Sequence, residues 1–259
     1  MLNVVTAGRG TPVLLIHAFP LSHAMWKKQV EPLSQYACVI TPDLPGFGGS
    51  SRQGKPSIPD MARACGQVLD HLGVKEPAVV CGLSMGGYIT FEFLRQFPQR
   101  VKALGLFSTR AAADTPEARE NRFKTAEKIN ADGLGPFSKV ILPKLLGRTT
   151  LIEHPNTAKQ VTDMILANKP GGVADALYAM ADRKDSSDLL AAIRVPTLVV
   201  AGEEDTFIPA DEAEKMADAI PGAEFHLIKE AGHLVNSEKP EEFTRALDRF
   251  LVATLLEKS

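Results

Sequence analysis

The stretch Ala78-Val79-Val80-Cys81-Gly82-Leu83-Ser84-Met85-Gly86 constrains this chain more than any other. Its first four residues form an apolar run that reads as a buried strand, and Gly87-Tyr88-Ile89-Thr90-Phe91-Glu92-Phe93-Leu94 after it reads as the start of a helix. A Gly-x-Ser-x-Gly turn between a strand and a helix must reverse the backbone so tightly that only glycines at 82 and 86 leave room for it. The turn lifts Ser84 clear of the sheet edge and sets it at the positive end of the helix. A hydroxyl held there can attack an acyl carbon, and the neighbouring Met85 amide can bind the resulting oxyanion. The five-residue pattern occurs by chance; its flanks are what make Ser84 a candidate nucleophile.

The rest of the chain alternates in the same way. Val13-Leu14-Leu15-Ile16, Val39-Ile40-Thr41, Ala103-Leu104-Gly105-Leu106-Phe107 and Thr197-Leu198-Val199-Val200-Ala201 are short, apolar and rich in branched residues, as strands buried on both faces are. Glu224-Phe225-His226-Leu227-Ile228 reads as a strand nearer an edge. Helical periods lie between them. Ile58, Met61, Ala62, Cys65, Val68, Leu69 and Leu72 share one stripe, as do Phe243, Ala246, Leu247, Phe250 and Leu251 after Pro240. The pattern predicts an α/β fold with a mostly parallel sheet flanked by helices.

Residues 110–187 break the alternation with helical patterns and no strand. Thr115-Pro116-Glu117 supplies a capping residue, a first-turn proline and an acid at a helix start. Further helices are expected over 134–146, 156–167 and 173–181, broken at Gly147, Pro170-Gly171-Gly172 and Asp182. The expected organisation is a core of residues 1–109 and 188–259 with a helical lid, 110–187, inserted after the strand ending near Phe107. Such a lid would cover the strand ends, where open α/β sheets bind ligands.

A serine hydroxyl needs a base to take its proton, and the base needs an acid to orient it. Asp205 follows the strand ending at Ala201, in Gly202-Glu203-Glu204-Asp205-Thr206, and His233 follows the edge strand in Ala231-Gly232-His233-Leu234. Glu203, Glu204 and Asp211 compete with Asp205, but only Asp205 stands three residues after the glycine that ends the strand. Glu203 and Glu204 are expected as a solvated acidic turn. The second oxyanion donor is expected in the loop His17-Ala18-Phe19-Pro20 after the first core strand.

These residues, with Asp43-Leu44-Pro45-Gly46-Phe47-Gly48-Gly49-Ser50, resemble the α/β-hydrolase superfamily over essentially the whole chain. Within it the chain is most similar to small lidded bacterial carboxylesterases and enol-lactonase-like serine hydrolases. Ser108-Thr109-Arg110 and Asp114-Thr115-Pro116-Glu117-Ala118-Arg119 are similar to that esterase group. The resemblance implies an α/β-hydrolase fold, with an oxyanion hole formed by the backbone amides of Phe19 and Met85. It also implies a structural role for the loop 43–50. The chain departs from the family in carrying Ala18 where glycine is usual, which requires a negative φ or some strain there. A second expected departure is the absence of the usual leading antiparallel strand.

The expected activity is hydrolysis of short-chain carboxylic esters through an acyl-enzyme on Ser84, with His233 as base and Asp205 as its partner. Enol-lactonase, carbon–carbon hydrolase and perhydrolase activities use the same triad. A signalling protein or small-molecule receptor on the same fold is the alternative of another class. Phe137 and Ile141 from the lid, and Ile208 and Leu234 from the core, are expected to wall the substrate pocket. His17 is expected to brace the oxyanion loop, and Arg110 and Asp114 form an ion pair at the lid hinge or a solvated loop. His71 sits in the last turn of a helix, and His23, His154 and His226 show no paired spacing for a metal. No cofactor and no metal are expected. A formal net charge of -2 and a charged content of 23% leave no footprint for nucleic acid, and no apolar run approaches the ~18 residues of a membrane span. The cysteines, 38, 65 and 81, lack metal or disulfide spacing and are expected as buried thiols, and the start of the chain lacks a signal core, so a cytoplasmic location is expected.

Overall fold

Each short apolar run forms a strand because a parallel sheet buries both of its faces. In the computed structural model, which describes residues 1–52 and 54–256, the strands are β1 (Val4–Ala7), β2 (Thr11–Ile16), β3 (Ala37–Pro42), β4 (Ala78–Leu83), β5 (Val101–Phe107), β6 (Thr197–Gly202) and β7 (Glu224–Ile228). They form a 7-stranded sheet in the order β1-β3-β2-β4-β5-β6-β7. All pairings are parallel except that of β1 with β3.

The expectation that a leading antiparallel strand is missing is therefore corrected. Val4 pairs with Pro42 and Ala7 with Val39 along β1. The strand is short, lies at the sheet edge and is half-buried at best, so no apolar run marked it.

Side chains alternate between two cores. On β2, Leu14 and Ile16 join one and Val13 and Leu15 the other; on β4, Val80 is set against Val79 and Cys81. Helices cover both faces: α1 (Lys27–Leu33), α2 (Ile58–His71) and α3 (Met85–Gln96) come first. The helices α4 (Pro116–Asp132), α5 (Leu134–Leu145), α6 (Arg148–Glu153), α7 (Pro155–Leu166), α8 (Pro170–Ala181) and α9 (Ser187–Leu190) form an insertion between β5 and β6. The chain ends with α10 (Ala210–Asp218), α11 (Val235–Glu238) and α12 (Pro240–Leu256).

Met61, Cys65 and Leu69 of α2 and Ile89 and Phe93 of α3 pack in the first core. Trp26 and Phe243, Leu247 and Phe250 of α12 pack in the second. Ser57 caps α2 by accepting the Asp60 amide at 3.2 Å while Asp60 accepts the Ser57 amide at 3.0 Å. Leu72, expected on the buried stripe, ends α2 and is exposed. Pro170-Gly171-Gly172, expected as a break, instead opens α8, because proline suits a first turn and Gly172 sits against the Gly46 backbone where a methyl group would clash. No helix among the described residues is long and apolar enough to cross a membrane.

Candidate active site

Ser84 stands between β4 and α3 with φ 56° and ψ −113°, a conformation that costs a non-glycine residue on the order of 1–3 kcal/mol. The surroundings enforce it. A methyl on Gly82 would lie 2.1 Å from the Gly86 carbonyl carbon, and one on Gly86 2.3 Å from the Ile16 oxygen. The Ser84 amide donates to the Phe107 carbonyl at 2.8 Å, and the Thr109 hydroxyl donates to the Ser84 carbonyl at 2.9 Å. The Ser84 amide and carbonyl are thereby both tied to β5 and the residues just after it, and among the described residues its hydroxyl makes no hydrogen bond.

His233 and Asp205 come from the loops after β7 and β6 and meet in the interior. His233 Nδ1 and Asp205 Oδ2 are 2.7 Å apart, and both residues are buried. The other carboxylate oxygen, Oδ1, accepts the amides of Phe207 at 2.8 Å and Ile208 at 3.0 Å, so the acid cannot swing away. With Nδ1 engaged, Nε2 is the ring nitrogen available for proton transfer. The Phe207 ring lies 5.1 Å from the imidazole, centroid to centroid. Ser84, His233 and Phe207 line one cavity of about 560 Å³.

The loop after β2 brings Phe19 to the same cavity. Ala18 is not at positive φ, so alanine is accommodated without left-handed strain. His17 is fully buried, with Nδ1 3.0 Å from the Ala18 carbonyl and Nε2 receiving the Leu44 amide at 3.0 Å. Burial lowers its pKa to about 4, and the neutral ring braces this loop against loop 43–50. Asp43 holds that second loop from within, accepting from Asn3, Gly49 and the His23 amide, each at 2.8 Å. Among the described residues, the Met85 and Phe19 amides are committed to no loop or turn acceptor.

Apolar side chains line the cavity together with charged ones, among them Arg110, Asp114, Arg122 and Lys144. Phe137, Ile141 and Ile208 line it, and the Phe19 and Phe137 rings meet edge to face at 6.1 Å. Leu234, expected as a wall, does not. Its side chain is fully buried in the second core, because the chain turns inward after His233 to start α11. The Met85 side chain is likewise core, leaving only its backbone for the site.

The expected Arg110–Asp114 contact is replaced by other partners. Arg110 bonds the Phe207 carbonyl and lies 3.2 Å from Glu212. The side chain of half-buried Asp114 is enclosed between Arg122 at 2.5 Å and Arg183 at 2.7 Å, and Arg183 also stacks 4.1 Å over the Tyr88 ring. Despite burial, the two guanidinium groups hold the Asp114 carboxyl below its usual range.

Two carboxylates near the site make contacts that no local pattern in the sequence shows. Glu204, expected in solvent, accepts the Thr149 amide at 2.8 Å and its hydroxyl at 2.6 Å. Glu238 is buried and bonds the amides of Gly147 at 2.8 Å and Leu234 at 3.0 Å. Nothing local marks Glu238: it follows Asn236-Ser237 and precedes Lys239-Pro240, which reads as a polar turn. Cys65 and Cys81 are buried, and burial pushes both thiols well up. No cluster of His, Cys, Asp or Glu among the described residues is arranged to hold a metal.

A serine on a strained strand-to-helix turn, lining one cavity with a histidine that is paired to a carboxylate, defines a hydrolase. The alpha/beta hydrolase fold family model matches residues 11–240, and the chain belongs to that family. An esterase from Thermogutta terrifontis, solved with malate bound, is 42% identical, with a TM-score of 0.96, over 98% of this chain and 93% of that one. The enol-lactonase from Burkholderia xenovorans is 25% identical, with a TM-score of 0.89, over 97% and 96%. 3-Oxoadipate enol-lactonase 1 of Acinetobacter baylyi is 26% identical over 92% of this chain and 88% of its own.

Proposed function

We propose that this chain is a serine carboxylesterase that hydrolyses short-chain esters through an acyl-enzyme on Ser84. The observation that carries the reading is the conjunction at one cavity: Ser84 in its strained turn and His233, itself 2.7 Å from Asp205. The Ser84 hydroxyl attacks the acyl carbon as its proton passes to His233 Nε2. The amides of Phe19 and Met85 stabilise the oxyanion, and Asp205 holds the imidazole tautomer and balances the imidazolium charge. Collapse of the tetrahedral adduct expels the alcohol, which takes the proton from His233. Water then gives a proton to His233 and attacks the acyl-enzyme, and collapse releases the acid as His233 returns that proton to Ser84 Oγ.

In this reading the inserted helices α4–α9 act as the lid. Phe137 and Ile141 from α5, with Phe19 and Ile208 from the core, close a small apolar pocket around the acyl group. A cavity of about 560 Å³ is of a size that holds a short ester with a compact leaving group. The similarity to an esterase at 42% identity supports ester over lactone, while the enol-lactonase likeness makes an enol-lactone the comparison substrate. Purified protein treated with a fluorophosphonate should carry one adduct, on the Ser84 peptide, and should turn over p-nitrophenyl acetate faster than an enol-lactone or a vinylogous diketone. Labelling at another residue would refute the assignment of Ser84.

A further inference from the structure

The insertion is held to the core at its α5–α6 corner. This corner is bound by both loops that carry the acid–base pair. From the Asp205 loop, Glu204 reaches the Thr149 amide and hydroxyl at 2.8 and 2.6 Å. From the segment after His233, Glu238 uses one oxygen on the Gly147 amide at 2.8 Å and the other on the Leu234 amide at 3.0 Å. One carboxylate thus joins the residue next to His233 directly to the insertion.

The backbones are in contact as well. The Leu234 amide also lies 3.2 Å from the Leu145 carbonyl. A methyl on Gly232 would fall 2.1 Å from the Gly147 nitrogen, and one on Gly147 would fall 2.5 Å from Glu204 Oε2. The loops are also tied to each other, through the Glu204 amide and the Ala231 carbonyl at 2.7 Å. No side chain could be interposed, so the two loops and the corner fit together in one arrangement.

We propose that Glu204 and Glu238 are positioning residues, clamping the α5–α6 corner onto the Asp205 and His233 loops so that docking of the corner and alignment of the His233–Asp205 bond form one unit. The inference rests on the reading of His233 as the general base. Neither carboxylate touches the cavity; each acts through the backbone on either side of the pair. Burial pushes the Glu238 carboxyl up, while the hydrogen bonds it accepts, the Gly147 and Leu234 amides among them, oppose that shift. Three amides and a hydroxyl donate to the two acids, so replacing either carboxylate by an amide sets an N–H against a donor. The corner stays docked through turnover, and any opening of the insertion occurs elsewhere.

The test compares Glu238→Gln, Glu204→Gln and, from the insertion side, Thr149→Val. Glutamine keeps the shape but has one accepting oxygen, and its amide faces an N–H donor. Each variant should lower kcat for p-nitrophenyl acetate, by roughly 10- to 100-fold for the glutamines and less for Thr149→Val, with KM held within about 3-fold, as expected when reacting groups are misaligned by fractions of an ångström. The low-field proton resonance of the His233–Asp205 hydrogen bond should shift upfield or broaden in the same order. If buried Glu238→Gln does not fold, the half-buried Glu204 and Thr149 carry the test. Wild-type kcat and an unchanged resonance in the folded variants would overturn the inference, as would a loss confined to thermal stability. A wild-type protein that neither hydrolyses activated esters nor reacts with fluorophosphonate would overturn the esterase reading instead, while the resonance still reports on the clamp.

Discussion

Leu44 donates its amide proton to Nε2 of His17 at 3.0 Å, and that bond determines which proton the ring carries. With Nε2 accepting, Nδ1 holds the hydrogen and donates it to the Ala18 carbonyl. Protonating Nε2 would break the link between the two loops that frame the site. Burial lowers the His17 pKa from 6.5 to about 4. A depressed histidine favours the folded state above the unfolded pKa, and its contribution is lost as pH falls from 6.5 toward about 4. The total is on the order of 3 kcal/mol for a shift of this size. His23, whose pKa is raised by its bond to Asp43, works in the opposite sense, its contribution being lost as pH rises. Urea midpoints from pH 7.5 to 4.5 should therefore fall less steeply in His17→Gln than in the wild type. Parallel curves would show that His17 does not couple to stability.

Ser84→Ala should abolish turnover by roughly 10⁴- to 10⁶-fold, the loss expected when a nucleophile is removed from a cooperating triad. Ser84→Gly should be equally inactive yet more stable than Ser84→Ala by about 1 kcal/mol, because glycine accepts the positive φ without strain. Thermal unfolding of the pair checks the claim; equal Tm values would mean that the turn stores no strain.

Asp205→Asn should keep substrate binding and cost on the order of 10³- to 10⁴-fold in kcat, since an amide can hold the imidazole in the wrong tautomer. The loss should exceed that of Glu204→Gln, which acts only through the insertion. The reverse order, measured as kcat on one ester, would transfer the acid role to Glu204.

The Asp114 side chain is enclosed between Arg122 and Arg183, and removing one guanidinium leaves its charge less compensated. Arg183→Met should destabilise the fold by ~3 kcal/mol, while a surface control such as Lys159→Met, at an exposed i,i+4 pair, should change it by under about 0.5 kcal/mol. Denaturant titration distinguishes the two, and a similar small effect at both positions would deny the buried cluster a structural role.

Acyl-chain preference follows from the walls. Each methylene that fits should add ~0.8 kcal/mol to transition-state binding, and those beyond the pocket should not. kcat/KM across p-nitrophenyl esters should peak between acetyl and butanoyl, fall beyond hexanoyl, and move to longer chains in Ile141→Ala. A maximum at decanoyl in the wild type would instead indicate a tunnel reaching past α5.

The six parallel strands, the turn at Ser84 and the order of Ser84, Asp205 and His233 are readable from residue order, because each is encoded locally. A parallel strand is a short apolar run, the turn needs Gly82 and Gly86, and Asp205 stands three residues after Gly202. The brace at His17 was legible for the same reason, standing at a set place in the loop after β2.

Only the folded chain decided the rest, because those features depend on what lies across a gap in sequence. β1 is a strand by pairing with β3, not by its own hydrophobicity. Leu234 stands next to His233 in sequence, but the turn into α11 sends it to the core. Arg110 and Asp114, four positions apart, each found a distant partner instead of one another. Glu204 and Glu238 carry no local sign of their role: it was set by a turn of the insertion, 55 and 91 residues away, arriving where their oxygens could accept its amides. Local steric rules are written in the order of residues, while burial and hydrogen-bond satisfaction are settled only when distant segments exclude water from one another.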